Sequence, residues 1–286
     1  CIASDTNVCN DLIFIILLYI NIIKKYKEVL PNTLKPFKSY RYNLLRVGPK
    51  KDGGYIIDKR IINKSKTIVT CGLNDDWEFE KNYLKINPET KVIAYDHTVN
   101  KKFWKERFKK DFLALILLKK ININKILDVF KYIDYKIFFR KNIHISKKVV
   151  LKKNSKNEIS IKEIIDKKKN IILKIDIEGD EYKLLNTINK EQSKINLLII
   201  EFHNISKNIS KIKKFLSNSK FKIIHIHANN YGGIDKLNNP NVIEVTLLNS
   251  KKFFVNKQKS KLKYPIVGLD FKNLKRRQDI NIKFND

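Results

Sequence analysis

Ile-Ile-Leu-Lys-Ile-Asp-Ile-Glu-Gly-Asp-Glu-Tyr, residues 171–182, is an apolar run that ends in carboxylates and a glycine. Because side chains alternate along a strand, Asp176 and Glu178 point to one face, and Ile175 and Ile177 point to the other. Carboxylates at the end of a buried strand are costly unless something binds there. In open α/β sheets, ligands lie just beyond the carboxyl ends of the strands. The stretch therefore predicts a strand with a binding site at its end.

The rest of the chain alternates strand and helix patterns in the way that is typical of a parallel sheet. Further strands are predicted at Thr67–Cys71, Lys91–Tyr95, Leu197–Glu201, Phe221–His227 and Val242–Leu248. The last two are joined by a polar connection that is too short for a long helix, which predicts an antiparallel finish. These patterns indicate an α/β protein with a mostly parallel sheet.

We divide the 286-residue chain into three parts. They are an N-terminal apolar helix or extension (1–39), a main domain (40–250) with a helical insertion near 100–140, and a basic C-terminal tail (251–286). Residues 12–23 are strongly apolar, but this run is short for a membrane span, which needs about 20 residues. We expect a helix packed on the domain, with a membrane contact as the alternative. The sequence has no Met, so we expect a fragment or a processed product.

The formal net charge of +31 would normally indicate a nucleic-acid or anionic membrane partner. However, 53 of the 60 basic residues are Lys and seven are Arg, and Ile and Asn are also abundant, as A/T-rich coding produces. Phosphate sites favour Arg because its guanidinium makes two parallel hydrogen bonds. We therefore expect no specific nucleic-acid partner. The three cysteines fit neither a metal spacing nor a disulfide framework, which indicates a reducing, cytoplasmic location, with membrane association as the alternative.

Pairs of polar side chains follow three of the predicted strands. In chain order they are Asp176 and Glu178, Glu201 and His203, and His225 and His227. Clustered Asp, Glu and His at neighbouring strand ends suit a general base or a divalent metal. We interpret His225 as a hydrogen-bonded core residue.

The first two predicted strands suggest a nucleotide site. Gly72 ends the first, and Asp96 ends the next, 24 residues later. In nucleotide-binding α/β folds an acid ~20 residues after the glycine turn hydrogen-bonds the ribose. The loop at Gly72 has one glycine where a dinucleotide fingerprint has three. Together, the glycine and the acid predict adenosyl binding.

Several of these motifs resemble one family. LKIDIEGDEY (173–182), followed by IIEFH (199–203), resembles the FkbM-type methyltransferases. RVGPKKDGGY (46–55), CGLNDDWEF (71–79), AYDHT (94–98) and HANNY (227–231) resemble a branch of that family. The resemblance covers roughly residues 40–250.

The resemblance implies a class I methyltransferase. Its Rossmann-like sheet would have seven mostly parallel strands, helices on both faces and an antiparallel last strand. It also implies S-adenosylmethionine as cofactor and O-methylation of a sugar, a glycan or a related small-molecule hydroxyl. The implied residues are Gly72, Asn74, Asp96 and Asp176 for the cofactor, His203, Glu201 and Asp176 for catalysis, and Glu178, His227 and Asn229 for the acceptor.

Within this interpretation His203 is the general base, oriented by Glu201 or Asp176. Alternatively, a divalent metal on Asp176, Glu178 and His203 lowers the pKa of the acceptor hydroxyl. Two other functions stay open: a non-catalytic, membrane-associated module with the same fold, and an RNA methyltransferase.

Overall fold

The computed structural model describes residues 30–117, 123–236 and 238–285. The predictions for the apolar run at 12–23 lie outside the described residues. Within the described ranges, none of the helices combines the length and the apolar character that crossing a bilayer requires.

Strands of the described residues form one large sheet and two small ones. In chain order they are β1 (Leu44–Val47), β2 (Tyr55–Asp58), β3 (Thr67–Cys71), β4 (Lys91–Tyr95), β5 (Ile143–Ile145), β6 (Lys148–Val150), β7 (Glu158–Ser160), β8 (Ile171–Ile175), β9 (Ile195–His203), β10 (Phe221–Ala228) and β11 (Val242–Asn249). The large sheet has seven strands in the order β5-β4-β3-β8-β9-β11-β10, and β1 pairs with β2 and β6 with β7.

The large sheet confirms the predicted fold class. Strands β5, β4, β3, β8 and β9 are parallel neighbours, whereas β11 is antiparallel to both β9 and β10. Numbered 1–7 along the chain, the seven strands therefore stand in the order 3-2-1-4-5-7-6, with the last strand reversed. This is the Rossmann-like sheet of class I methyltransferases. Every residue of β8 and β9 is buried, as central strands covered on both faces require.

Helices connect the strands of the sheet. They are α1 (Glu78–Ile86), α2 (Lys101–Leu117), α3 (Ile123–Lys141), α4 (Ile161–Asp166), α5 (Glu181–Lys190) and α6 (Ile205–Ser217). The insertion predicted near 100–140 is the pair α2 and α3, which pack against each other. Short 3-10 helices lie at Asn32–Leu34, Arg41–Asn43, Lys59–Lys64 and Gln192–Lys194.

A second, aromatic core fixes the base of α2 and α3. Trp77 contacts Trp104 and Tyr135 edge-on, with ring centroids 6.1 Å and 5.6 Å away. The indole N–H of Trp77 donates to Asp134 on α3 at 3.0 Å. These aromatic contacts and this hydrogen bond therefore fix α2 and α3 to the domain beside the ends of β3 and β4.

The C-terminal residues contact the rest of the domain. The sequence predicts a basic C-terminal tail over 251–286, and the structure adds that the described part of this segment packs on the domain. Tyr264, Ile266, Leu269 and Ile282 are buried, and Tyr264 pairs with Ile282. Three of these residues, Tyr264, Ile266 and Leu269, lie in one apolar run, YPIVGL (264–269), which stands within an otherwise Lys-rich segment.

Candidate functional site

The turn after β3 brings three strand ends into close contact. Gly72 adopts a positive φ of 85°, and a Cβ there would lie 1.6 Å from the carbonyl oxygen of Asp176. The Asp176 amide donates to Cys71 O at 2.9 Å, and the Gly72 amide donates to Tyr95 O at 2.9 Å. Glycine is therefore required at this position by the approach of the β8 end, as well as by its φ.

Asp96 fixes the loop that follows Gly72. One carboxylate oxygen accepts the amides of Leu73 at 2.8 Å and Asn74 at 2.7 Å. The other accepts the amide of Thr98 at 2.7 Å and its hydroxyl at 2.6 Å. Burial raises the pKa of Asp96, but these hydrogen bonds outweigh it and bring the pKa below its usual range. The carboxylate is thus ionised and holds the loop in shape.

A cavity of about 460 Å³ opens beyond these strand ends. Its walls include all four residues predicted to hold the cofactor and the predicted acceptor residue Glu178. The lining residues are Gly72, Asn74, Tyr95, Asp96, His97, Thr98, Phe103, Lys147, Lys148, Val149, Asp176, Ile177, Glu178 and Asp180. Its volume lies within the roughly 300–1,000 Å³ of small-molecule and cofactor pockets.

Asp176 lines this cavity with a carboxylate that is short of partners. Its Oδ1 is sealed from solvent and has no hydrogen-bond partner among the described residues. Burial raises the pKa of Asp176 to about 6; the charges of Lys174 and His203 oppose the rise, and those of Glu178 and Asp52 add to it. The surroundings of Asp176 therefore disfavour its ionised form, and carboxylates with such shifted pKa values are common at functional sites.

His203 is held by Glu181. Glu181 Oε1 accepts the His203 amide at 2.8 Å and lies 3.3 Å from His203 Nδ1, while its Oε2 accepts the Gly179 amide at 2.8 Å. On the other side of the ring, Nε2 lies 3.3 Å from Glu178 Oε2 and 3.6 Å from Glu201 Oε1. The residue next to Nδ1 is therefore Glu181, at the start of α5. Glu201 and Asp176, the residues predicted to orient the imidazole, do not contact this nitrogen.

The surroundings of His203 favour its charged form. Burial lowers the pKa of His203, but the hydrogen bond and charge of Glu181, together with the charges of Asp176 and Glu178, outweigh burial and raise the pKa. A raised pKa makes the neutral imidazole a stronger base.

The three residues predicted as a metal set do lie together. One ligand atom each of Asp176, Glu178 and His203 can be chosen such that all three lie within 4.8 Å of one another. Two carboxylates and an imidazole, one carboxylate having an unpartnered oxygen, fit the donor preference of a hard or borderline divalent cation.

Next to His203 lies a second group of polar side chains, which we call the acidic wall: Asp52, Glu201, Asn229, Glu244 and Asn273. Asn229 donates to Glu201 at 3.0 Å and to Asp52 at 3.4 Å. Asn273 donates to Asp52 at 2.8 Å and to Glu244 at 2.5 Å. Two members of this wall, Glu201 and Asn229, are among the site residues predicted from the sequence. The other three, Asp52, Glu244 and Asn273, are not among those predictions.

The acidic wall changes the ionisation of Glu201. Burial raises the pKa of Glu201 well above its usual range, and the charges of Asp176, Glu244 and Asp52 raise it further, against the opposing hydrogen bond from Asn229. A protonated carboxyl can donate a hydrogen bond to a ligand.

His227 lies deeper than its predicted contact with an acceptor suggests. The residue is 1% exposed, and its Nδ1 and Nε2 lie 3.3 Å from Glu244 and 3.4 Å from Asp279. Burial lowers the pKa of His227, but Asp279 and Glu244 outweigh it and raise the pKa to about 10. In the structure it serves as a buried cation behind the acidic wall; its contact with an acceptor stays a prediction.

Lys174 is a site residue that the sequence analysis did not single out. Its Nζ lies 3.5 Å from Glu80 Oε1 with both side chains buried, and 5.1 Å from the centroid of the Tyr55 ring. The Thr70 hydroxyl donates to the same Glu80 oxygen at 2.6 Å. Strand alternation puts Lys174 on the face of Asp176, and this signal could have identified it.

The segment RVGPKKDGGY forms the loop that carries Asp52. Arg46 Nε donates to Pro49 O at 3.0 Å, and another guanidinium nitrogen donates to Lys51 O at 2.9 Å. A Cβ on Gly54 would lie 2.2 Å from Pro49 O, so the loop closes only over a glycine. This explains why the segment needs both its arginine and its glycines.

Comparisons with known proteins add little to this geometry. No family model matches the sequence, and no curated protein is significantly similar to it. The resemblance to the FkbM-type family therefore rests on the quoted motifs alone.

Several solved structures are similar to this chain at low identity and low TM-score. The Methanococcus jannaschii fibrillarin pre-rRNA processing protein is 11% identical, with 73% of this chain and 84% of that chain covered and a TM-score of 0.35. Precorrin-6y C5,15-methyltransferase from Geobacter metallireducens is 8% identical, with 66% and 87% covered and a TM-score of 0.33. M. jannaschii TYW2 in complex with AdoMet is 12% identical, with 74% and 89% covered and a TM-score of 0.33. At these values the matches do not bear on substrate or activity.

Proposed function

We propose that this protein is an S-adenosylmethionine-dependent methyltransferase that methylates a hydroxyl of a sugar or a related uncharged small molecule. One observation carries the proposal. The cavity lined by Gly72, Asn74, Asp96 and Asp176 shares Asp176 with the cluster that contains His203. A cofactor pocket and a base on adjoining strand ends are what methyl transfer to a hydroxyl needs.

The cofactor half of the site would hold the nucleoside at Asp96 and the methionine part at Asp176. The exposed Thr98 hydroxyl, which now donates to Asp96, is the contact that a ribose hydroxyl would replace. The unpartnered Asp176 oxygen would receive the positive charge of the methionine part. In both cases a carboxylate would bind a group of the cofactor: Asp96 would accept hydrogen bonds from the ribose, and Asp176 would pair with the positive charge.

His203 would remove the proton of the acceptor hydroxyl. With Glu181 at Nδ1, the imidazole proton stays on that nitrogen and Nε2 is left to accept a proton. Glu201, 3.6 Å from Nε2, would hydrogen-bond the acceptor beside it. Alignment of the hydroxyl with the methyl group would supply much of the rate.

The acidic wall supports an uncharged polyol as the acceptor. Carboxylates and amides accept and donate hydrogen bonds to sugar hydroxyls. A phosphate at the same place would face Asp52, Glu178 and Glu244, whose charges repel it. The high positive charge motivates RNA methylation as an alternative, yet the carboxylates next to His203 would repel the phosphates of an RNA acceptor.

A divalent cation is a second possible source of activation, because Asp176, Glu178 and His203 fit one. When bound there, it would lower the pKa of a coordinated hydroxyl. His203 would then be a ligand instead of the base.

Calorimetric titration of the full chain with S-adenosylmethionine is the first test. Absence of binding would favour the non-catalytic module and refute the proposal. With binding established, transfer of a labelled methyl group to a panel of sugars and glycans is measured with EDTA and with added Mg²⁺ or Mn²⁺.

His203→Ala should retain cofactor binding and lose turnover, at least about a hundredfold for a general base. His225→Asn is the matched control, since it changes a buried histidine that pairs with Asp270 away from the cavity. Turnover that survives in the His203 variant would refute its role. RNA that is methylated in preference to sugars at physiological salt would support the alternative acceptor.

A further inference from the structure

The outer faces of α2 and α3 are apolar and exposed. On α2, the exposed side chains Phe108, Phe112 and Ile116 recur every four residues, and the rings of Phe108 and Phe112 stack 5.8 Å apart. On α3, Phe130, Ile133 and Ile137 recur at spacings of three and four. Side chains at these spacings share one face of a helix. Each helix therefore has an exposed apolar stripe, and Ile116 and Ile137 reach 64% and 66% exposure.

The opposite faces of both helices are anchored. Trp104 and Asp111 of α2 are buried, and Arg107 pairs with Asp111 at 2.7 Å. On α3, Tyr135 packs against Trp104 with ring centroids 4.7 Å apart. The exposed stripes are thus the outer sides of a rooted helix pair and not the result of loose packing.

The same segment is strongly basic. Residues 101–141 contain 13 Lys or Arg and four Asp or Glu, a net charge of +9. Lysines alternate with the apolar positions; Lys109 and Lys110, for example, stand between Phe108 and Phe112. Exposed apolar side chains with lysines between them suit an anionic lipid surface, where each nearby Lys contributes about 1 kcal/mol.

We propose that α2 and α3 form a docking surface for an anionic membrane, separate from any contact made by residues 12–23. Charge decides the occupant. A second copy that docked through the same segment would bring its net charge of +9 against an equal charge, which disfavours self-association. The stripes are convex helix faces with flanking lysines, which suit a bilayer surface.

The position of the helix pair gives the docking a consequence for the site. α2 begins five residues after Asp96, and Phe103 in its first turn lines the cavity. At about 1.5 Å per residue, the 17 residues of α2 extend about 25 Å from there. A membrane held by the helix pair would therefore lie within one helix length of the cofactor cavity.

The test uses the full chain and sedimentation with vesicles of phosphatidylcholine alone or of an equal mixture with phosphatidylserine. Ile116→Asp combined with Ile137→Asp should weaken binding to the mixed vesicles about tenfold or more, because two apolar side chains leave the bilayer and two negative charges are added. The matched control is Phe254→Asp with Val267→Asp, two exposed apolar residues outside the helix pair; it makes the same charge change and should bind within about twofold of the unchanged chain.

Residues 1–29 stay in every variant, so any contribution they make cancels. Folding is checked by circular dichroism, and Ile116→Ser with Ile137→Ser replaces the charged pair if that pair fails to fold. Equal loss of binding in the control pair, equal binding to both vesicle types, or no vesicle binding at all would overturn the proposal. A lipid-free dimer that only the helix-pair variant dissociates would assign the face to a second copy and would overturn it too.

Discussion

Replacing Asp176 by Asn should stabilise the protein while it removes activity. The carboxylate has a buried oxygen without a partner, and its pKa is raised from 3.8 to about 6, first by burial. An acid with a raised pKa favours the folded state when protonated, so its ionised form opposes folding. This opposition begins as pH rises above 3.8 and is complete above pH 6.

The size of the effect follows from the shift. A difference of 2.2 pKa units (6 minus 3.8) corresponds to about 3 kcal/mol at 1.36 kcal/mol per unit. Asp176→Asn is nearly isosteric and always neutral. We therefore expect the variant to exceed the unchanged protein by up to about 3 kcal/mol in unfolding free energy at pH 8, with the difference closing between pH 6 and 4.

Urea unfolding of both proteins, followed by circular dichroism from pH 4 to 8 with EDTA present, measures this difference. Asp180→Asn is the control in the same loop: hydrogen bonds to Lys183 and Lys148 lower the pKa of Asp180, so the sign should reverse. An Asp176 variant that is less stable at pH 8, or whose gain does not depend on pH, would refute the reasoning. A gain in stability with full activity would refute the functional role instead.

Three further changes test the surroundings of the site. Lys174→Met leaves the buried Glu80 carboxylate without its cation and should lower the free energy of chemical unfolding by about 3–5 kcal/mol. The double variant, Lys174→Met with Glu80→Met, should recover most of that loss. A double variant as unstable as the single one would contradict this. His227 has a pKa raised to about 10, so the stabilisation by its charged form is complete below about pH 6.5 and is lost as pH rises towards 10. The difference in unfolding free energy between the unchanged protein and His227→Asn should therefore shrink from about pH 6.5 to about pH 10. A difference that does not change with pH would contradict the ion pair. Asp96→Ala removes the hydrogen bonds that the amides of Leu73 and Asn74 donate, and so should disturb the loop after Gly72. The Kd for S-adenosylmethionine, measured by calorimetry, should rise at least about tenfold, and more than it does in Thr98→Val. An equal rise in both variants would mean that the loop contacts contribute nothing.

The local patterns of the sequence predict much of the fold. Thr67–Cys71 and Lys91–Tyr95 form strands with the predicted bounds, because short β-branched runs between turns have few alternatives. The antiparallel finish follows from a connection that cannot hold a crossover helix. The sequence pattern at 142–150 predicts one strand, but the structure divides it between β5 and β6, because each pairs with a different strand.

The site is predicted less completely, for a physical reason. The sequence places Asp176, Glu178, Glu201 and His203 at strand ends, which are local features. The predicted alternation applies to Glu201 and His203 within β9, whereas β8 ends at Ile175 and Glu178 lies in the turn that follows, with a φ of 54°. From the sequence, Glu181 is an acid at a helix N-terminus, where acids are favoured in any case. Its hydrogen bond to His203 depends on how α5 packs against β9, which the sequence pattern does not reveal.

Asp52, Glu244 and Asn273 join the wall only through contacts between distant segments. Asn273 donates to Asp52 across 221 positions of the chain. No periodicity in a sequence encodes such a meeting.

The same long-range closure sets the order in which the protein can mature. The acidic wall needs Asp52 and Asn273, which are 221 positions apart, and Asp279 closes the contact to His227. Strands β3, β4 and β8 can pair as soon as they have been synthesised, whereas the wall has to wait until Asn273 has left the ribosome. Contacts at such separation also form slowly because loop closure precedes any gain from them. During synthesis, the cavity beside Gly72 and Asp176 should therefore exist before the acidic wall, and a chain that stops short of Asn273 would have the cavity without a complete wall.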